Sequence, residues 1–165
     1  MYPMLVAQLP APMRPAPMRR IAGILLALTV FCSVTAVAQP ASDRAGVRQA
    51  AADYIDALYQ ADSTRIVRSV HPDLVKYGYY PRDGTYRGTP MNFAELKQLA
   101  ASWNQGQKRV DPDTATREIV VLDVLDKTAS AKIVAHWGID YMHLAKVDGR
   151  WMVRQILWQS HPSSR

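Results

Sequence analysis

A chain of 165 residues with a net charge of +6 is long enough for one domain with its own core. Arg14, Arg19 and Arg20 carry half of that excess ahead of the first acidic residue, and what remains is too dilute for a nucleic-acid footprint, with Lys108-Arg109 the only dense basic spot. Cys32 is the only cysteine and sits in the same leading segment, so the rest of the chain can offer no disulfide, thiol nucleophile or thiolate metal site.

The first 17 residues hold five of the eleven prolines and show neither a helical nor a strand period. Met18-Arg19-Arg20 then precede an apolar run at 21–34, too short to span a bilayer but suited to the hydrophobic region of a signal peptide. Ala36-Val37-Ala38 match the small-residue pattern that a signal peptidase reads. A lipoprotein signal is disfavoured, because Phe31 precedes Cys32 where a small residue is needed. The expectation is a leader and cleaved signal peptide at 1–38, with Met18 the better start. Residues 39–165 follow as a single domain, periplasmic or secreted and free of the membrane after cleavage.

A first helix is predicted over 43–61, capped by Ser42 or Asp43, with Val47, Ala51, Tyr54, Ile55 and Leu58 on one face. Asp62-Ser63 opens a short second helix with Ile66, Val67 and Val70 inward, which His71-Pro72 should end. A strand is expected near 74–80, then the turn Pro81-Arg82-Asp83-Gly84 and a short return strand at 85–87. Thr89-Pro90 introduces a third helix with Asn92 and Glu95 as a capping box and Phe93, Leu96, Ala100 and Trp103 as its buried stripe. After a polar loop at 105–114 the period changes to two. Strands follow at 119–125, 129–137, 140–147 and 151–158, the last pair joined by the hairpin signal Asp148-Gly149. Four consecutive strands with short turns make an antiparallel meander. The class is α+β, with three helices covering one face of a strongly curved, mostly antiparallel sheet.

The alanine-rich first helix with Tyr54-Ile55, the His71-Pro72-Asp73 turn and the terminal strands carry a family resemblance. Asp140-Tyr141, Leu144 and Lys146-Val147-Asp148-Gly149-Arg150-Trp151 resemble the Asp-Tyr…Leu…Lys-x-Asp-Gly-x-Trp pattern of the putative lumazine-binding branch. That branch lies in the nuclear transport factor 2-like superfamily, the cone fold of ketosteroid isomerase-like and polyketide cyclase-like proteins. The resemblance spans about residues 43–160. It implies a cone whose mouth can hold a ligand, and it implies homodimers formed through the outer face of the sheet. Function then rests with the residues that line the cone.

Asp140 is the first candidate for chemistry. A carboxylate directed into an apolar cone has a raised pKa and can serve as a general acid or base; at a strand start it can equally cap the turn or pair with an arginine. His71, ahead of Pro72, is a second candidate for proton transfer, or a cap for the helix end. Tyr54, Tyr77, Tyr79, Trp103, Trp137, Tyr141 and Gln155 are candidates for lining a pocket for a small apolar or aromatic ligand, the rings otherwise serving as core. His136 and His143 lack metal-ligand spacing, and neither a metal nor a cofactor is implied. No nucleophile motif or phosphate loop is present. The leading expectation is an exported small-molecule-binding domain with an aromatic-lined cone. The alternatives are an isomerase-, dehydratase- or cyclase-type enzyme using Asp140 with tyrosine hydroxyls polarising a carbonyl, and a non-catalytic dimeric interaction domain.

Overall fold

The computed structural model describes residues 41–162, so the expected leader, signal peptide and cleavage site lie outside the described residues. Three helices are present: α1 (Ala41–Tyr59), α2 (Ser63–Ser69) and α3 (Phe93–Ser102). Six strands join one sheet in the order β2-β1-β6-β5-β4-β3. They are β1 (Val70–Arg82), β2 (Thr85–Met91), β3 (Arg117–Val124), β4 (Thr128–Ala135), β5 (Gly138–Val147) and β6 (Arg150–Gln159). Strands β3 to β6 form the expected meander, and β1 pairs antiparallel with β2 but parallel with β6.

The helical stripe of α1 is buried as its spacing predicts: Val47, Ala51, Tyr54, Ile55 and Leu58 all face the sheet. Asp62 caps α2 by accepting the Thr64 N–H, and α3 begins on a complete Asn92–Glu95 capping box. Ile66 is buried, but Val67 is 52% exposed, against expectation. Neighbouring residues on a helix point about 100° apart, so a helix this short buries one of the two. Val70 does point inward, though from the first position of β1 and not from a helix.

His71-Pro72 is likewise not a loop that follows a helix. It lies within β1, because Val70 is drawn into parallel pairing with Val153 of β6. The register between β1 and β6 shifts between Val70 and Val75, which accommodates a proline with no N–H to donate. On the other side, β2 runs on to Met91 through Thr89-Pro90 instead of giving way to a helix there. As an edge strand it tolerates the proline.

Hairpins close the remaining joints. Asp148 and Gly149 both have positive φ, as a two-residue turn of mirror-image type requires. The β4–β5 turn consists of His136-Trp137 alone, since Ala135 pairs with Gly138. Trp137, expected at the end of a strand, is therefore a turn residue whose indole can fold back over the sheet. A bulge between Val121 and Asp123 turns Leu122 outward, and Leu125 is exposed beyond the strand.

Candidate functional site

Two fully or nearly fully buried charged side chains lie on the inner face of the sheet, apart from Lys146 and Arg117 nearer its rim, which pair with Asp43 and Asp56 of α1. On β5, Asp140 shares the inward row with Met142 and Leu144 and is fully buried. On β1, Lys76 shares the inward row with Leu74 and Gly78 and is 5% exposed. From the helical layer, Tyr54 of α1 meets Lys76, whose Nζ donates to the Tyr54 hydroxyl at 2.5 Å. The Trp137 indole N–H donates to Asp140 Oδ2 at 3.1 Å. Asp140 Oδ1 is buried with no hydrogen-bond partner among the described residues. Gly138 makes this return of the chain feasible: its φ is +147°, and a Cβ there would fall 2.0 Å from the Gln159 carbonyl oxygen.

Burial dominates the electrostatics. It pushes the Asp140 carboxyl above its ordinary value, while the Lys76 ammonium, the Trp137 N–H and the Tyr54 hydroxyl pull it back. Burial also lowers the Lys76 ammonium, and the Asp140 carboxylate opposes that fall. The Tyr54 hydroxyl is raised well above the usual phenol range by burial and by the nearby carboxylate, so it stays protonated. No direct ion pair joins Lys76 and Asp140, and the Tyr54 hydroxyl, though close to both, makes no hydrogen bond of normal geometry to the carboxylate. A carboxyl group, an amine and a phenol thus share one low-dielectric compartment, each with unused hydrogen-bonding capacity.

Aromatic rings wall this compartment. Trp137 packs edge-on against Tyr54, Tyr59 and Trp103, with centroids 6.1, 5.5 and 5.4 Å away. Trp103 stacks on Tyr59 at 5.9 Å. Trp158 lies 5.6 Å over Lys76 Nζ, with its indole against the backbone of Gly78, where a Cβ would come within 1.7 Å of it. Trp103, Trp137 and Trp158 are half-buried, so the wall reaches solvent at their edges. Asn104 braces it from behind. Its side-chain amide donates to the carbonyls of Tyr59 and Val110, and its oxygen accepts from the N–H groups of Arg109 and Val110.

Of the residues expected to form a site, Tyr54, Trp103, Trp137 and Asp140 converge. Tyr77, Tyr79, Tyr141 and Gln155 do not: they stand exposed on the opposite face of the sheet. The alternation that turns Lys76 and Gly78 inward on β1 turns the two tyrosines outward, and Tyr141 follows Asp140 by one residue on β5. His71 also lies apart. Its Nδ1 accepts from the Asp73 N–H at 3.1 Å and faces an Arg154 Nη at 2.6 Å, which places its proton on Nε2. His143 bonds Gln155 on the outer face, and His136 is exposed in the β4–β5 turn. Among the described residues no three His, Cys, Asp or Glu side chains are grouped to hold a metal ion. Lys76 was missed by sequence reasoning. Its signal was the parity of β1: if Tyr77 and Tyr79 share one face, Lys76 falls on the other with Leu74.

Five surface depressions of 370 to 490 Å³ are present, and none of the five is lined by Tyr54, Lys76 or Asp140. One of 440 Å³ lies on the outer sheet face beside His143 and Gln155. Another of 460 Å³ lies beside Trp151, where Asp43 accepts from Lys146 and the Trp151 indole.

The profile of the family described as "Putative lumazine-binding" matches residues 42–159. The chain belongs to that family. The matched span takes in every member of the Asp140 group, from Tyr54 to Trp158. Among solved structures, an NTF2-like protein of unknown function from Shewanella baltica OS155 aligns with TM-score 0.57 at 21% identity, covering 76% of this chain and 99% of that one. One from Silicibacter pomeroyi DSS-3 gives 0.58 at 12% identity over 75% of this chain and 100% of that one. A third, from Methylobacillus flagellatus KT, gives 0.56 at 16% identity over 75% and 96%. At these identities the likeness establishes the fold, the nuclear transport factor 2-like cone. No curated protein matches the chain.

Proposed function

We propose that this member of the lumazine-binding family binds a small, flat, largely apolar ligand with one polar end, held in the cone against Lys76, Tyr54 and Asp140. The observation that carries the reading is the unpartnered, fully buried Asp140 Oδ1 beside an amine that has one hydrogen-bond partner among the described residues. Buried polar groups are almost always paired, and an exception in a compartment walled by aromatic rings suits a ligand's polar end. Keeping a lysine and an aspartate buried costs stability that an apolar core would not, which favours a functional reason for both. A ligand reaches them by displacing the half-buried edge of the wall formed by Trp103, Trp137 and Trp158. The test is tryptophan fluorescence against flavin-, pterin- and steroid-like compounds. A saturable quench by one class, weakened at least tenfold in Asp140→Asn, is the expected result; no quench by any class contradicts the reading.

A second reading, acid–base catalysis on a carbonyl compound, is favoured by the upward push on the Asp140 carboxyl next to a protonated Tyr54 hydroxyl. It requires Asp140→Asn to abolish turnover of a bound ligand while binding persists. For the assembly, the proposal is a homodimer through the outer sheet face, where Val75, Tyr77, Tyr79, Tyr141 and Leu157 are exposed large apolar residues. Light scattering should give twice the monomer mass, falling to the monomer in Leu157→Glu. For location, the proposal is export after cleavage at Ala38, which N-terminal sequencing of the processed protein tests.

A further inference from the structure

We propose that Lys76 is an imine-forming amine, capturing the carbonyl carbon of an aldehyde or ketone with a flat apolar body that occupies the cone. The inference rests on the reading of the cone as a ligand site and adds the chemical class of the ligand and a covalent step.

Three observations carry it. Of the six lysines, Lys76 alone is buried; Lys146, also on the inner face of the sheet, is part-exposed and paired with Asp43. Its Nζ lies 2.5 Å from the Tyr54 hydroxyl, which leaves a proton donor next to any carbonyl that the amine attacks. The third observation is Asp140, a buried carboxylate with a free oxygen in the same compartment and without a direct ion pair to Lys76. Burial also lowers the Lys76 ammonium, which raises the share of the nucleophilic neutral amine. A ligand's positive end would compete with the Lys76 ammonium for Asp140, and a negative end would meet the Asp140 carboxylate. A neutral carbonyl suffers neither penalty.

The step balances without an oxidant or a reductant. The amine lone pair forms the C–N bond as the carbonyl π pair moves to oxygen, which takes the Tyr54 proton. Asp140 accepts a proton from the nitrogen and returns one to the phenolate oxygen of Tyr54. The nitrogen lone pair of the carbinolamine then forms the C=N bond as the C–O bond breaks. The departing hydroxide takes the Tyr54 proton and leaves as water, and the last N–H proton passes through Asp140 to the Tyr54 phenolate. In the net, the two amine hydrogens and the carbonyl oxygen leave as water. If the imine takes up a proton, its positive charge replaces that of the ammonium beside the same carboxylate, so the charge balance of the compartment is preserved. Trp158, 5.6 Å over Nζ, supplies a stacking surface for the body of the ligand.

The test uses the full chain with benzaldehyde and sodium cyanoborohydride, followed by peptide mapping of reduced adducts. Benzaldehyde is a flat aromatic carbonyl probe, and the hydride reagent makes any imine permanent. The expected result is an adduct at Lys76 at least tenfold above that at each of Lys97, Lys108, Lys127, Lys132 and Lys146, falling at least tenfold in Tyr54→Phe with its circular dichroism unchanged. The wild-type adduct ratio needs no variant, so it decides the matter even if a substitution unfolds the domain. Adducts confined to the other lysines, with a saturable tryptophan quench by benzaldehyde, overturn imine formation and leave the ligand site standing. The absence of both an adduct at Lys76 and a quench by benzaldehyde overturns the imine, and the flavin, pterin and steroid panel then judges the ligand site separately.

Discussion

Lys76 and Asp140 should destabilise the domain strongly when removed one at a time and weakly when removed together. Lys76→Met leaves a fully buried carboxyl without its cation, and Asp140→Asn leaves a 5% exposed ammonium without its anion. Breaking a buried charge pair by removing one partner costs about 3–5 kcal/mol. These two groups form no direct ion pair, so the lower end applies, about 3 kcal/mol each. In a domain of this size that is a fall in Tm of roughly 10–15 °C. The double variant, with no charge left to bury, should lie within about 1 kcal/mol of the parent. The pH dependence has opposite signs in the two single variants. A carboxyl raised on folding favours the folded state fully below its unfolded pKa and loses that contribution as pH rises through its folded value. Without Lys76 the Asp140 carboxyl climbs further, so the deficit of Lys76→Met relative to the parent shrinks toward acid pH. An ammonium lowered on folding contributes fully above its unfolded pKa and loses that contribution as pH falls through its folded value. The deficit of Asp140→Asn therefore shrinks toward alkaline pH. Urea unfolding of the four proteins across pH measures all of this. If the single losses add up to the double loss within about 0.5 kcal/mol, the two groups do not sense each other and the shared compartment is refuted.

Gly138→Ala should cost about 2–5 kcal/mol, because a Cβ at φ +147° would fall 2.0 Å from the Gln159 carbonyl; thermal unfolding reads it, and a change under about 1 kcal/mol contradicts the turn geometry. Asn104→Ala should cost about 2–4 kcal/mol in urea unfolding by stranding the Tyr59 and Val110 carbonyls and two N–H groups. Gly78→Ala should force the Trp158 indole off the strand, red-shifting tryptophan emission at a cost of about 1–3 kcal/mol. An unchanged spectrum would mean that Trp158 does not cover this part of the cone.

Local interactions were legible in the sequence. The buried stripe of α1 follows from spacings of three and four, the start of α3 from the reciprocal bonds of Asn92 and Glu95, and the β5–β6 turn from Asp148-Gly149. Each is decided within a few residues, as is the two-residue period of the meander. Asp140 is buried on the inner face, but an acid–base role also needs an open cavity, and none of the five surface depressions is lined by it.

Tertiary structure decided the rest. His71-Pro72 ends α2 as local rules predict, yet β6, some eighty residues further on, pairs with Val70 and Val75 on either side and draws the segment into β1. Thr89-Pro90 reads as a helix start, yet β1 holds it as an edge strand. The period of β1 says that Lys76 and Tyr77 face opposite ways, but not which way is in. The arrival of α1, with Tyr54 over that row, settles it: the lysine goes into the cone and the tyrosines go to the outer face. A two-residue period is symmetric between its two faces, and only the layer that packs on one of them removes the symmetry. The sequence by itself therefore determined which segments are helix and meander and that the chain makes this cone; packing alone determined that the cone's polar core is Lys76, Tyr54 and Asp140.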